Sequence, residues 1–388
     1  MNKTILSYGV QEFIKKNSDA DIVSVLLRKP NFPGVTLQEL GVQLSGKQKC
    51  KKKLPLWHTT SEIYFPTGVQ MEQTSSEETA QYKAQLVQGN SLVDITGGFG
   101  IDDFYFSKKI AEVTHCEIDA ELSDIAKHNH SILGAENITH YAGDGVTYIV
   151  KNERKFDWIY LDPSRRNESK GKVFFLADCL PNLPEILPLL FKKSDNILVK
   201  TAPLLDISVG LSELLFVKEI HIIAIQNEVK ELLWIIENGF HGGITIHTKN
   251  QEQEFQFQLA DEKKVIPSYA LPLTYLYEPN SAILKSGAFK SISEQLKVHK
   301  LHEHSHLYTS EILKPFPGRR FKIKNAYPYS KKIVKQFKGQ KANITTRNFP
   351  ESVASIRKKF GIKDGGCNYL FFSTNNVNEL IVIEAEKI

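Results

Sequence analysis

Val93-Asp94-Ile95-Thr96-Gly97-Gly98-Phe99-Gly100 ends a short apolar run, residues 91–95, that reads as a strand. Glycines at the end of a strand let the backbone approach a ligand at the carboxyl edge of a parallel sheet, where open α/β folds bind cofactors. Two cofactor classes use such a turn. Dinucleotide sites want Gly-x-Gly-x-x-Gly, with the third glycine letting helix and strand pack closely. Here that third position is Asp103, and Asp94, four residues before Gly98, sits badly beside a pyrophosphate. Asp-x-x-x-Gly-x-Gly instead suits a cationic amino-acid cofactor, because a carboxylate can pair with its ammonium group.

Three further signals follow in order, each at the end of a predicted strand. Glu117, in Cys116-Glu117-Ile118-Asp119, lies 19 residues after Gly98. That is close to the offset of about 20 at which an acid accepts hydrogen bonds from ribose hydroxyls. Gly143-Asp144-Gly145 comes next, with Asp144 placed to accept from an adenine amino group. Asp162-Pro163-Ser164-Arg165-Arg166 is the fourth. The candidate cofactor residues are therefore Asp94, Thr96, Gly97, Gly98, Gly100, Glu117, Ile118, Asp144 and Gly145. The competing reading makes the glycines plain turns and the acids helix caps, but four such features on successive strands favour a site.

Around this centre, residues 91–95, 112–117, 138–142, 158–162 and 196–200 read as strands separated by amphipathic stretches such as 122–133, a βαβ pattern with a parallel sheet. Residues 219–226 and 232–238 are joined by too short a link for a crossover helix, so they should form an antiparallel hairpin. Residues 1–85 read as helical, and Ser-x-x-Glu within Ser75-Ser76-Glu77-Glu78 is a capping-box signature. Residues 244–259 alternate as strands, and 369–373 with 380–384 form a last strand pair around Asn375-Asn376. The expected divisions are 1–85 helical, 86–247 cofactor domain, 248–318 linker strands with a small domain, and 319–388 a basic domain.

Composition narrows the function classes. The chain has 388 residues, 41% hydrophobic and 24% charged, an ordinary globular balance. No run approaches the roughly 18 apolar residues that span a bilayer. The start, Met1-Asn-Lys-Thr-Ile-Leu-Ser-Tyr, predicts no signal peptide. Cys50, Cys116, Cys179 and Cys367 are far apart, which predicts a reduced cytoplasmic protein without a zinc ribbon. The formal charge of +5 is uneven: residues 314–363 hold fifteen Lys/Arg against the single acid Glu351, or +14, leaving −9 elsewhere. Such a segment suits a polyanion.

The order Asp94…Gly98-x-Gly100, Glu117, Asp144, Asp162-Pro163 resembles the class I S-adenosylmethionine-dependent methyltransferases. More closely, the chain resembles a bacterial group of these enzymes with ferredoxin-like and THUMP-like domains at the C-terminus. That closer match rests on Glu72-Gln73-Thr74-Ser75-Ser76-Glu77, Asp162-Pro163-Ser164-Arg165-Arg166, Lys200-Thr-Ala-Pro203-Leu-Leu-Asp206, Tyr277-Glu278-Pro279-Asn280, Gly318-Arg319-Arg320 and Gly365-Gly366. The resemblance implies an α/β fold: a Rossmann-like class I methyltransferase sheet with an antiparallel last strand, an N-terminal helical region and small α+β C-terminal domains. It implies S-adenosyl-L-methionine as cofactor and RNA, as tRNA or rRNA, as the substrate captured by the basic end.

Methyl transfer from a sulfonium needs chiefly proximity and alignment, so no metal or covalent nucleophile is expected. Asp162 and the Pro163 carbonyl are candidates to orient a target amine. Ser164 and Arg165 stand where amino methyltransferases carry a second proline and an aromatic residue. Arg165 and Arg166 would suit a substrate phosphate or carboxylate, or form structural ion pairs; Lys200 shares their sheet edge. At the basic end, Arg319, Arg320, Lys322, Lys331, Lys332, Arg357, Lys358 and Lys359 are candidate phosphate contacts. The interleaved Phe316, Phe321, Tyr327, Tyr329, Phe337, Phe349 and Phe360 either stack on bases or build the small domain's core. His302, His304 and His306 would share a face if their segment were a strand, but no fourth ligand is near. A non-catalytic RNA-binding protein with a methyltransferase-like core is the main alternative; an NAD-dependent oxidoreductase is disfavoured by Asp94 and Asp103.

Overall fold

A computed structural model describes residues 1–165 and 175–388. The chain divides into two compact units, Met1–Val217 with Trp234–Phe240, and Lys218–Leu233 with His241–Ile388. Among the described residues no helix is long and apolar enough to cross a membrane.

The first unit begins with six helices: α1 (Tyr8–Lys16), α2 (Ile22–Leu27), α3 (Leu37–Lys53), α4 (Pro55–Thr59), α5 (Gly68–Gln73) and α6 (Glu77–Leu86). Helix α3 opens on a capping box, in which Glu39 N–H donates to Thr36 Oγ1 (3.1 Å) and Thr36 N–H donates to Glu39 Oε2 (2.8 Å). Its last turn, Lys51-Lys52-Lys53, complements the negative end of the helix dipole. Helix α6 departs from the capping expectation. Ser76, not Ser75, is its cap, accepting from Thr79 N–H at 3.2 Å, and Glu78 takes no part. Ser75 is engaged instead with Asp102 and Lys83.

The strands follow: β1 (Ser91–Asp94), β2 (Glu112–Glu117), β3 (Ile138–Ala142), β4 (Trp158–Leu161), the short antiparallel pair β5 (Ser164–Arg165) and β6 (Cys179–Leu180), β7 (Asn196–Thr201), β8 (Val217–Ile225) and β9 (Glu228–Glu237). In the first unit their order is β9-β7-β4-β1-β2-β3. Strands β3-β2-β1-β4-β7 are all parallel. Leu92, Val93, Ile159, Leu161, Leu198 and Val199 are buried, as expected of a sheet covered on both faces. Register aligns the strand ends: Asp94 lies beside His115 and Tyr160, Glu117 beside Ala142, and Leu161 beside Val199. The loops after β1, β2, β3 and β4 and the end of β7 therefore share one edge.

In the second unit one sheet carries the order β11-β10-β8-β9, with β10 (Thr245–Asn250) and β11 (Gln253–Gln258) antiparallel and β10 parallel to β8. Strands β8 and β9 are neighbours joined by Gln226 and Asn227, both at positive φ (52° and 63°). The expected hairpin therefore forms, with a two-residue turn and a second strand that starts at Glu228 rather than 232. A seven-stranded sheet follows: β12 (Tyr275–Pro279), β13 (His299–Lys300), β14 (Tyr308–Ser310), β15 (Gly318–Pro328), β16 (Asn343–Arg347), β17 (Asn368–Thr374) and β18 (Leu380–Lys387), ordered β13-β14-β12-β15-β18-β17-β16. The expected boundary at 318/319 falls at the start of β15, inside this sheet, because β15 pairs with β12 (Arg319 beside Glu278). β16 and β17 are parallel, and the helix Val353–Phe360 makes the crossover that parallel strands require.

Candidate functional site

The glycine turn is held from below by side chains. Gly98 and Gly100 have φ of +56° and +78°, a region that glycine enters at little cost. A Cβ on Gly97 would stand 2.2 Å from His115 Nδ1, and one on Gly100 2.6 Å from the His130 ring. Gly98 is different: a Cβ there would meet only the Thr96 carbonyl at 3.8 Å, so its outer side is open. Gly98 N–H donates to Glu117 Oε2 (2.7 Å), and Asp119 N–H donates to Glu117 Oε1 (2.8 Å). The carboxylate thus ties the ends of β1 and β2 together. Ile118, beside it, is 73% exposed. Asp144 caps helix α9 (Gly145–Lys151, after α7 Ile101–Phe106 and α8 Ala120–Ile132) through Thr147 N–H at 2.6 Å. Gly145 lies against the turn, where a Cβ would come within 2.3 Å of the Ile95 carbonyl. Gly145→Ala is therefore expected to cost about 1–3 kcal/mol in urea unfolding, because backbone rather than a yielding side chain blocks the methyl group.

Asp94 is buried rather than open to the edge. Its Oδ1 accepts from Thr96 N–H (2.7 Å) and Thr96 Oγ1 (3.1 Å). Burial, then the nearby Asp103 carboxylate, push its carboxyl well above the usual range. Asp103 is raised in the same way, by burial and the charge of Asp102, and it bonds His115 Nδ1 at 2.6 Å. His130 Nε2 lies 2.8 Å from the Gly100 carbonyl, which only accepts, so Nε2 carries the hydrogen. His130 Nδ1 then accepts from His140 Nε2, also at 2.8 Å. Burial lowers all three imidazoles, His115 and His140 to about 4. Sequence reading attached no role to this neutral platform.

At the end of β4, Asp162 N–H donates to Thr96 Oγ1 (2.7 Å), so Thr96 joins the glycine turn to the fourth loop. The Asp162 carboxylate forms an ion pair with Lys200 Nζ from β7. Sequence reading placed both residues on one edge; the structure adds that they bind each other. Pro163 is buried and Ser164 exposed. Arg165 lies in β5, opposite Cys179, and Arg166 lies outside the described residues.

Residues without a functional assignment gather beside this pair. Lys83 is fully buried, its Nζ donating to Ser75 Oγ (3.0 Å) and 3.2 Å from Asp102 Oδ1. Asp102 Oδ2 accepts from Ser75 Oγ (2.9 Å) and Tyr160 OH (2.8 Å). Burial raises Asp102, yet the Lys83 and Lys200 ammoniums and these donors outweigh it and hold the carboxyl low. Lys53, at the end of α3, donates to the Met71 and Glu72 carbonyls (3.0 and 2.9 Å). Burial, and next the Lys200 charge, bring it down to about 8. In the sequence Lys53 closes the basic run Lys47-Gln48-Lys49-Cys50-Lys51-Lys52-Lys53.

In the second unit the basic residues separate into two groups. Arg319 and Arg347 both pair with the buried Glu278. Arg357 pairs with Asp364 and donates to the Ala342 carbonyl, and Lys359 pairs with Glu351. Lys322, Lys331, Lys332 and Lys358 are exposed and Arg320 is half-buried, and no ion pair holds them among the described residues. Phe316, Phe321, Phe337 and Phe360 are buried, and Tyr327, Tyr329 and Phe349 pack on the core, so these rings are the domain's interior. The segment between β13 and β14 is a turn, not a strand. Within it, His302 bonds Asn378 and Asn348, while His306 stacks on Phe289. These imidazoles do not converge.

Residues 275–317 match a ferredoxin-like domain and residues 318–387 a THUMP-like domain. The crystal structure of a "putative methyltransferase from Porphyromonas gingivalis W83" is 31% identical, with a TM-score of 0.89, over 99% of this chain and 98% of that one. The chain belongs to that protein's family. The family's fold is the class I methyltransferase sheet followed by the two small C-terminal domains, as the resemblance implies. Fragmentary likenesses include M. capricolum TrmK in complex with S-adenosyl-homocysteine (17% identity, TM-score 0.32, 42% of this chain and 69% of that one). Another is the SAM-dependent methyltransferase from Agrobacterium tumefaciens (22% identity, TM-score 0.25, 32% and 43%). Neither adds to the family assignment. No curated protein sequence matches the chain.

Proposed function

We propose that the chain is an S-adenosylmethionine-dependent methyltransferase acting on RNA held by its basic C-terminal domain. The observation that carries this is the common edge: the open side of Gly98, the Glu117 carboxylate, exposed Ile118, Asp144 and the Asp162–Lys200 pair all follow strands in register. The residues fit the cofactor chemically. Glu117 and Asp144 offer acceptors for ribose hydroxyls and an adenine amine, Ile118 an apolar face, and Gly98 room for close approach. The cofactor supplies a methyl group already activated on a sulfonium. The chain's own task is to orient the acceptor, with Asp162, steadied by Lys200, and the Pro163 carbonyl taking hydrogen bonds from it. Arg165 and Arg166 meet a phosphate, and Arg320, Lys322, Lys331, Lys332 and Lys358 contact the RNA backbone.

Calorimetry with S-adenosylhomocysteine should show one site per chain, and Glu117→Ala should weaken it at least about tenfold, as loss of charge-assisted hydrogen bonds does. Absence of binding at millimolar ligand would refute the reading. For RNA, Lys331→Glu with Lys332→Glu should weaken binding and flatten its salt dependence by about two charges. Nucleosides from cells with and without the gene, compared by mass spectrometry, should differ by one methylated species. RNA binding without any methyl transfer would favour the non-catalytic alternative.

A further inference from the structure

Strand alternation puts Glu219 and His221 on one face of β8, and the parallel register sets His247 of β10 directly opposite His221. His221 Nε2 lies 3.1 Å from Glu219 Oε2, and His247 Nε2 lies 3.5 Å from the same oxygen. The three donor atoms all fall within 4.8 Å of one another. Zinc bonds of about 2.0–2.2 Å to nitrogen and oxygen, at angles near 95–110°, separate neighbouring donors by about 3.0–3.5 Å. The Glu219 oxygen already has that spacing from both nitrogens.

We propose that Glu219, His221 and His247 form a divalent transition-metal site, of zinc class, that clips β8 to β10. Two imidazoles and one carboxylate are a donor set suited to zinc, with the remaining position taken by water. Exposure agrees with this: the His221 side chain is 4% exposed, while Glu219 and His247 are 28% and 27% exposed and leave an approach from solvent. The two rings stand stacked, with centroids 4.4 Å apart and planes 6° from parallel. Directing both Nε2 lone pairs at one ion requires the rings to splay about χ2, a broad torsion for histidine. Each ring binds as the neutral tautomer that carries its hydrogen on Nδ1. The site is independent of the methyltransferase reading.

The test uses the full chain, stripped with a chelator and dialysed against zinc. Mass spectrometry of metal content should give one equivalent per chain, and cobalt substitution should give visible d–d bands. His247→Ala should lose both signals, whereas His304→Ala, on the exposed turn, should keep them. Glu219→Gln serves if His247→Ala does not fold, and should weaken zinc at least about tenfold. Zinc should raise the Tm of the parent chain and not that of the variants. Failure of the parent to retain zinc, or equal retention by His247→Ala and Glu219→Gln, would overturn the proposal.

Discussion

Lys83→Met should destabilise the first unit by about 3–5 kcal/mol, the usual result of removing one partner of a buried ion pair. Lys83 has no access to solvent, and its ammonium is the first of the charges that hold Asp102 ionised against burial. Without it, Asp102 keeps two neutral donors, Ser75 and Tyr160, and the charge of Lys200, which is already paired with Asp162. The variant should therefore show its own pH signature. Its deficit should shrink as pH falls, because the stranded carboxylate escapes by taking a proton. Lys83→Met with Asp102→Asn should recover much of the loss, and urea unfolding of the two single variants and the double variant measures the coupling. Equal losses at pH 5 and pH 8 would mean that lost packing, not stranded charge, is the cause.

The second large effect is acid sensitivity. In the unfolded chain each imidazole takes a proton near pH 6.5; in the folded one His115 and His140 do so only at about 4, and His130 is also well depressed. Between those values the unfolded chain binds more protons, so stability is lost as pH falls through the window. Asp94 and Asp103 act with the opposite sign. Their raised carboxyls keep protons that an unfolded chain has released above 3.8. They are two against three imidazoles, and His306 of the second unit, also at about 4, adds to the larger side. Four imidazoles against two carboxyls leave an excess of two protons at most. Because an unfolded imidazole is only half protonated at pH 6.5, the mean excess over the window is about one, or about 1.4 kcal/mol per pH unit. About 2 kcal/mol should therefore go between pH 6.5 and 5. Half-buried His140 contributes less than His115. Urea midpoints across this range measure the slope, and His130→Gln should flatten it. A midpoint rising toward pH 5 would contradict the sign.

Strand placement was legible in the sequence for a physical reason. β1, β4 and β7 are buried on both faces, so each reads as a short apolar run that stops at a charged residue, Asp94, Asp162 or Lys200. The residues after those stops then share an edge through parallel register alone. What escaped notice depends on contacts between distant segments. No local pattern pairs Lys83 with Asp102, or brings Lys53 near Lys200. Arg319 looked like a phosphate ligand because its partner, Glu278, lies on another strand and meets it only through the β12–β15 register. Glu219, His221 and His247 became neighbours because β10 lies parallel to β8, an arrangement that alternating residues between 244 and 259 do not announce.

In the C-terminal sheet, β18 lies between β15 and β17 although it is last in the chain. β15 and β17 meet only through β18, so the sheet cannot close from the residues before 380. Until Leu380–Lys387 is in place, their apolar faces and unpaired edges stay available to any other extended chain. A chain cut short before residue 380 would leave a half-sheet exposed for proteases and holdases to find, so β18 decides whether the C-terminal sheet closes.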